Sequence, residues 1–410
     1  MSEAAAAERL AAWRHCNTPL IIASGMFVGT AASLILGLQP ILLGGLTEAG
    51  RLSEAGLGVA ATVEILGLAL GATVGPRLMN GGSLRLSTAV VCMLLAVANL
   101  GIYWVKGPIG IYAVRGTAGL LEGLALGAAI LVLTHTRHPD RVAGLFLGVQ
   151  TIPQIIGAYL LPVFVVPRLG INAGFGLLAL VALVAVGGAL GSPDHVDAAD
   201  IAPARKVAWS SAIRLFIATV VTQNAGIGAA WNYLERLAPQ NGFTASSIGL
   251  AVAGSLVSQV VGAFVVAWFG WRAPYRATLI LGAFAQAGVA LLLMSADAPI
   301  SYIAAACVFG LLWLALPPFQ VQQAIVLDPT RRLAMLLTPL ALLGLSIGPF
   351  LVSFAVRPDD VSGAFWGAAA LGVTSAIGYI LLLAFARSAI RLRFPSHRDV
   401  QVGGRFPDGH

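Results

Sequence analysis

Long apolar runs recur along almost the whole chain, and they constrain its fold more than any other feature of the sequence. A helix needs about 20 mainly apolar residues to cross the roughly 30 Å hydrocarbon core of a bilayer. Twelve runs reach this length, at 18–44, 54–76, 84–105, 109–133, 142–166, 171–190, 211–236, 245–269, 275–295, 299–326, 333–356 and 362–386. The sequence therefore predicts an all-α polytopic membrane protein with twelve transmembrane helices.

The composition agrees with this interpretation and excludes several classes of function. Only 10% of the 410 residues are charged, against roughly 25% in soluble domains, and the mean hydropathy is +0.88. The three cysteines are scattered and the six histidines lie outside the apolar runs, so we expect neither a metal site nor a cofactor. No P-loop and no nucleophile–base constellation is present, so we do not expect an enzyme.

The basic residues predict the orientation of the spans. With the N-terminus inside, 18 of the 24 lysines and arginines fall in inner segments and five in outer ones. This bias follows the positive-inside rule and places both termini in the cytoplasm, with the protein in the cell (inner) membrane. The net charge of +7 then belongs to a membrane surface that contacts lipid, and not to a nucleic-acid interface.

The chain divides into two similar halves. A shift of 191 residues aligns Arg141–Gly157 with Arg332–Gly348, Gly71 with Gly262, and Gly119 with Gly310. Parallel six-plus-six repeats are typical of transporters whose solute path lies between two bundles. The predicted domains are an N-terminal six-helix bundle at 1–190, a cytoplasmic linker at 191–210, a C-terminal six-helix bundle at 211–388 and a cytoplasmic tail at 389–410.

Short motifs accompany the repeat. The loop GPRLMNGGSLR between spans two and three is basic and glycine-rich, with Gly75, Arg77, Gly82 and Arg85, and FGWRAPYR keeps Gly270 and Arg272 at the equivalent place. Span four contains Arg115-x-x-x-Gly119, and span five contains Gly148, Pro153 and Gly157. Together with the repeat, these motifs resemble the major facilitator superfamily. The resemblance implies two rocking six-helix bundles that transport a small solute. Met79 stands where the family's loop usually carries aspartate.

Three charged residues lie deep within the predicted spans, and all are in the first half. They are Glu64 in span two, and Arg115 and Glu122 in span four. Charge at this depth normally faces a bundle interior or a watery cavity and has partners. Arg115 and Glu122 share a helix face about 10 Å apart, which is too far for a tight ion pair within one helix. We expect both to face one cavity, with Glu64, water or solute between them.

These charges give the first candidate site. Arg115 and Glu122 are predicted to bind substrate, and Glu122 and Glu64 to carry protons, with a structural ion pair as the alternative for all three. Neutral polar residues complete the predicted substrate site, with helix–helix packing as their alternative role; they are Gln150, Gln154, Gln223, Asn224, Asn232, Tyr233, Trp313 and Gln320.

The favoured function is secondary active transport of a small organic solute by alternating access, coupled to protons, by a monomer. An organic anion or an amphiphilic or aromatic compound fits these residues. The alternatives are a proton-driven drug or metabolite efflux antiporter, an uncoupled facilitator and, less well supported, a non-transporting membrane sensor.

Overall fold

The predicted all-helical class is confirmed within the part of the chain that the structure describes. That part of the computed structural model is residues 18–79, 82–196 and 209–393, with the backbone alone at 140, 271 and 385–393. Besides the helices, one isolated bridge joins Arg357 to Asp360 there. The first seventeen residues, most of the predicted linker, and the tail beyond Arg393 lie outside the described residues.

Helices follow the predicted runs in order. In the first half they are α1 Pro19–Glu48, α2 Glu54–Met79, α3 Leu84–Gly101, α4 Pro108–Thr134, α5 Pro139–Leu160 and α6 Ile171–Ala189. In the second half they are α7 Ser211–Gln240, α8 Ala245–Phe269, α9 Tyr275–Met294, α10 Pro299–Leu327, α11 Leu337–Ser353 and α12 Ser362–Arg393. A π-helical turn, Leu161–Val165, extends α5 towards Leu169.

Eleven of these helices are long and apolar enough to cross a membrane, so the chain is an integral membrane protein. The exception is α11, which is apolar but has 17 residues. It starts four residues after the predicted bound because a turn at Leu336 separates it from a short helix, Arg332–Met335, which begins directly after the left-handed Arg331 (φ 63°). The twelfth span therefore stays a prediction.

Local sequence signals set where the helices begin. Pro19 and Pro108 occupy first-turn positions, where a missing N–H costs nothing. Ser83, Ser210 and Thr244 each accept a hydrogen bond from a main-chain N–H of the first turn through the side-chain oxygen. Such caps satisfy donors that the helix itself leaves unpaired.

Two helices differ from their predicted bounds for identifiable reasons. α10 is interrupted at Leu316, directly before Pro317, because a proline inside a helix removes one hydrogen bond and collides with the preceding turn. α7 continues to Gln240, four residues beyond the predicted end at 236. Its last turns are sheltered by contacts with α1 and α2, described below.

Backbone-to-backbone packing joins α2 to α4, and the same packing joins α8 to α10. Gly119 lies against the carbonyl oxygen of Glu64, and 191 residues later Gly310 lies against that of Ser255. A second pair of contacts has the same offset: Gly71 on Leu120 and Gly262 on Leu311. A side chain at any of these glycines would overlap the neighbouring main chain, which explains why the closest helix pairs need glycine.

The halves meet differently at the two ends of the molecule. We call the end that carries the α1–α2, α5–α6 and α7–α8 connections the closed end, and the opposite end the open end. Near the closed end α5 and α8 are so close that a Cβ on Gly249 would lie 3.2 Å from the Cα of Tyr159. Towards the open end the same helices border a cavity of about 710 Å³.

Candidate functional site

A buried charged cluster lies inside the first half. It consists of Gln39, Glu64, Asn99, Arg115 and Glu122, contributed by α1 to α4. Arg115 donates through Nη2 to Glu64 and through Nη1 to Asn99 Oδ1 at 2.8 Å. Gln39 Nε2 donates to the other oxygen of Glu64 at 2.8 Å. The predicted partnership of Arg115 with Glu64 is therefore a direct ion pair.

Arg115 and Glu122, expected to be too far apart for a tight ion pair within α4, form a looser ion pair beyond hydrogen-bond distance. Arg115 Nη2 lies 3.6 Å from Glu122 Oε1, in addition to its bond with Glu64. The long arginine side chain spans most of the two-turn gap, and the side chain of Glu122 leans towards the N-terminus of α4 to meet it. One guanidinium thus serves two carboxylates, and it also lies over the ring of Phe175 in α6, 5.0 Å from the ring centroid.

The charged cluster is enclosed in this conformation. Arg115 and Glu64 are 0% exposed and Glu122 is 2% exposed. The expectation that Arg115 and Glu122 face an open cavity is therefore not met in this conformation. Three polar atoms of the cluster have no hydrogen-bond partner among the described residues: Gln39 Oε1, Arg115 Nε and Glu122 Oε2. Because Glu122 has one unpaired oxygen and a longer ion pair, it is held less firmly than Glu64.

A neutral amide cluster occupies the interior of the second half. It consists of Gln223, Gln286, Gln320 and Tyr379 from α7, α9, α10 and α12. Gln223 Oε1 accepts hydrogen bonds from Gln320 at 2.9 Å and from Tyr379 at 2.6 Å, while its Nε2 donates to Gln286 at 2.8 Å. The structure thus brings together two predicted residues, Gln223 and Gln320, in a network that needs no charge.

The other predicted neutral residues are spread over several contacts. Gln154 donates to the carbonyl of Ser33 in α1, and Asn224 and Asn232 donate to carbonyls of their own helix. Gln150 and Trp313 are partly exposed. The Trp313 ring packs edge-on against Trp231 at 5.3 Å between centroids.

Polar contacts between the halves form a clamp at the closed end. We define the clamp as Glu54 of α2 with Tyr233 and Arg236 of α7. Arg236 makes a paired contact with Glu54, 2.7 Å from Nη2 and 3.0 Å from Nε to the same Oε1. The Tyr233 hydroxyl donates to the carbonyl of Glu54 at 2.8 Å. Tyr233, predicted to bind substrate, therefore lies in a contact that holds the halves together.

Two further hydrogen bonds cross between the halves. Thr62 of α2 donates to the carbonyl of Ser346 in α11 at 2.7 Å. The Trp231 indole N–H donates to the carbonyl of Leu36 in α1 at 3.0 Å. Thr62 and Ser346 lie in the parts of α2 and α11 nearer the closed end, so this bond adds to the clamp.

The cavity at the open end is predominantly apolar. Ile152 and Ile155 of α5 face Val257, Val261 and Phe264 of α8 across it. Arg141, at the start of α5, and Thr151 are its polar lining residues. A space of this size between the halves is suitable for a small organic molecule with a largely apolar body.

Sequence reasoning missed two buried carboxyl groups near the closed end. Glu54 is 5% exposed and Glu235 is 4% exposed. The expectation that all buried charge lies in the first half is therefore wrong, because Glu235 belongs to α7. Both residues stand within two turns of a helix end, where charged side chains are ordinary, so their burial becomes visible only when α1, α2 and α7 are packed together.

Comparisons with known proteins identify the fold. No family model and no curated protein matches the sequence. Among solved structures, one similar to this chain is described as the nucleoside transporter NupG; it is 12% identical, covers 89% of this chain and 99% of its own, and has a TM-score of 0.69. The structure of a NupG point variant is 10% identical to this chain. The match covers 88% of this chain and 99% of the variant, with a TM-score of 0.75.

A third similar structure comes from work on substrate recognition in proton-dependent oligopeptide transporters. It is 12% identical, covers 90% of this chain and 99% of its own, and has a TM-score of 0.69. All three have the major facilitator superfamily fold. The chain therefore has this fold, and the resemblance noted from its motifs is confirmed at the level of fold.

Proposed function

We propose that the protein is a secondary active transporter that moves a small organic solute by alternating access, coupled to protons. The observation that carries this proposal is the asymmetry between the two ends. Glu54 and Arg236 bind the halves together at the closed end, while a cavity of about 710 Å³ separates α5 from α8 towards the open end. A molecule with one closed and one open end has the geometry that alternating access requires.

The finer architecture belongs to the same proposal. We infer twelve spans in two six-helix bundles, at 1–190 and 211–388, joined by a linker at 191–210, with a tail at 389–410. Helix neighbours support this division: α1 packs on α5 and α6 as α7 packs on α11 and α12, and α3 packs on α6 as α9 packs on α12. The positive-inside bias then places the open end and both termini at the cytoplasmic face of the inner membrane.

The residues that would serve the solute fall into two groups. Gln150 and Trp313 are partly exposed, which suits direct contact with a solute that enters from the open end. Arg115 is committed to Glu64 and Glu122, so its binding of an organic anion would require the charged cluster to rearrange. An amphiphilic or aromatic solute, resting on the apolar walls of the cavity, needs no such change. We therefore infer that the solute is an amphiphilic or aromatic compound, and we keep an organic anion as the second candidate class.

Proton coupling is proposed for Glu122 and Glu64. Both share Arg115 as counterion. Protonation of one carboxylate would therefore leave Arg115 paired with the other carboxylate alone. Glu122 has the longer ion pair and an unpaired oxygen, which makes it the better candidate. Gln39 and Asn99 would hold Glu64 and Arg115 in place during the exchange.

Transport in proteoliposomes tests the proposal. Candidate solutes are first ranked by the increase in melting temperature that they cause, because a ligand that binds the folded state stabilises it. Uptake of the best solute is then measured with and without an imposed pH gradient. We expect a gradient to drive accumulation, with loss of this response in Glu122→Gln. Uptake that ignores the gradient would identify an uncoupled facilitator, and accumulation driven by an outwardly directed proton gradient would identify an efflux antiporter.

A further inference from the structure

Glu235 is a buried carboxyl group that the proposed cycle has not yet used. It lies in α7, one residue before Arg236 of the clamp, and is 4% exposed. Its Oε2 is buried and has no hydrogen-bond partner among the described residues. It lies directly against Gly44 of α1, so closely that any side chain at position 44 would overlap the carboxyl group. The contact between α1 and α7 thus encloses this acid.

The charged and titratable neighbours of Glu235 do not neutralise it. From α7, Arg236 is committed to Glu54. From α10, the Tyr302 hydroxyl donates to the carbonyl of Leu234 at 2.7 Å. The remaining neighbours, Glu48 at the end of α1 and Glu54 at the start of α2, are themselves acidic. Arg236 is thus the one positive neighbour of Glu235, it is shared with Glu54, and two acids stand against it, so no free donor among the described residues pairs with the buried oxygen.

A carboxylate ion is unfavourable in such a place. Burying an ion without a partner costs far more than burying a neutral group, and the group normally neutralises instead. Charged side chains near a helix end are ordinary when they are exposed, but a buried acid between transmembrane helices is a functional candidate, because it is too costly to keep for packing alone. The neutral, protonated acid is the form that fits between Gly44 and the clamp.

We propose that Glu235 is a proton-binding site that locks the closed end. The carboxyl group keeps its proton while α1 and α7 are packed together. When they separate, water reaches the group, its O–H bond breaks, the proton passes to water and a carboxylate remains; reclosure requires the reverse transfer. This proposal rests on the proposed alternating access, and it adds a proton site in the second half to the candidates of the charged cluster.

The direction of the pH effect follows from this placement. Protonation favours the closed arrangement, so acidic solution should keep this end shut. Alkaline solution should favour separation of α1 from α7, because it favours the carboxylate, which needs water. The ion pair of Arg236 with Glu54 in the clamp opposes that separation. Glu235 therefore shifts the equilibrium between the closed and the separated arrangement of α1 and α7, but does not determine it alone.

A distance measurement across the closed end tests the proposal without any solute. Spin labels are placed at Lys106→Cys and Asp359→Cys, two exposed positions of opposite halves at this end, in the full chain with alanine at its three native cysteines. The protein is studied in lipid nanodiscs by pulsed electron paramagnetic resonance. We expect the label distance to lengthen between mildly acidic and mildly alkaline solution.

Variants then assign the response. Glu235→Gln mimics the protonated acid, so its label distance should stay short at both pH values. Asp297→Asn is the matched control, since it removes an exposed acid in the α9–α10 connection at the same end, away from the charged neighbours of Glu235, and should respond like the parent. Glu235→Asp keeps an acid and should retain the response. A parent without a pH response, or a Glu235→Gln variant that responds like the parent, overturns the proposal.

Infrared difference spectroscopy gives a second readout on the same samples. A protonated carboxyl C=O band, shifted in deuterated water, should be present in acid, disappear in alkali and be missing from Glu235→Gln. If Glu235→Gln does not fold, the band should move in Glu235→Asp, and a band that does not move overturns the proposal. Failure of these tests concerns Glu235 only, whereas failure of solute uptake concerns the transporter proposal itself.

Discussion

Both halves bury a polar network among their helices, but the two networks differ in charge. The first half buries an ionic network in which Arg115 serves Glu64 and Glu122. The second half buries a neutral network around Gln223 and Tyr379. A neutral network keeps its hydrogen bonds at any ordinary pH, whereas an ionic one changes when a carboxylate is protonated. The comparison teaches that the halves share backbone packing, while carboxylates belong to the network buried in the first half and not to the network around Gln223.

The largest effect is expected from removing the shared counterion. Arg115→Gln leaves two buried carboxylates without a counterion, although Gln39 still donates to Glu64, and breaking a buried pair in this way costs about 3–5 kcal/mol. The melting temperature in detergent should fall sharply, or the protein should fail to accumulate. Arg77→Gln, at an exposed arginine of α2, is the control and should change stability little.

A double variant sharpens that comparison. Arg115→Gln combined with Glu64→Gln removes one buried charge of each sign and leaves Glu122 as the one carboxylate of the charged cluster. We expect the double variant to recover part of the stability lost in Arg115→Gln. If it is less stable than the single variant, Glu64 is stabilised by contacts other than its ion pair.

The shared backbone packing predicts equal effects in the two halves. Gly119→Ala and Gly310→Ala each push a methyl group against a carbonyl of the neighbouring helix, at Glu64 and Ser255 respectively. Overpacking of this kind costs about 1–3 kcal/mol. Thermal unfolding should show similar losses for both variants. A large loss in one variant alone would break the equivalence of the α2–α4 and α8–α10 pairs.

The neutral network should matter less and should not respond to pH. Gln223→Leu removes the acceptor of Gln320 and Tyr379, and unsatisfied buried polar groups cost about 1–3 kcal/mol. We expect a moderate decrease in melting temperature that is the same in acidic and neutral solution. A decrease that depends on pH would show that the second half is coupled to a titrating group.

The smallest effect is expected at the connection between α10 and α11. Hydrogen bonds from the hydroxyl of Thr330 and the N–H of Leu333 lower the pKa of Asp328. A lowered pKa stabilises the fold above the ordinary aspartate value of about 3.9 and loses that contribution as the pH falls through the lowered value. Asp328→Asn should therefore unfold slightly earlier than the parent at neutral pH, and the difference should vanish in acid.

Most of the fold is predictable from the sequence because its main determinant is local. Apolar length specifies the spans, and proline or serine at the first turn specifies where many of them start. The prediction missed the start of α11, since a turn at Leu336 divides it from the short helix Arg332–Met335, and periodicity does not reveal a break at a single residue. The predicted span for α7 was also too short. The last turn of α7 follows Arg236, which forms an ion pair with Glu54 of α2.

The site was predictable where a charge interrupts an apolar run. Arg115 and Glu122 stand out for that reason, and the cost of burying them implies a partner, which Glu64 supplies. Gln39 and Asn99 did not stand out, because amides are common in transmembrane helices. The clamp and the burial of Glu235 arise from contacts between helices that are distant in sequence. The residue pattern of a single helix does not indicate such contacts.

The glycine contacts between α2 and α4 have a mechanical consequence. With main chain resting on main chain at Gly71 and Gly119, no flexible side chain separates the two helices to absorb a displacement. In the proposed alternating access, the two helices are therefore expected to move as one rigid body, so that a displacement of Glu54 is transmitted to the far end of α4. Probes attached to either helix should then report the same movement with the same time course.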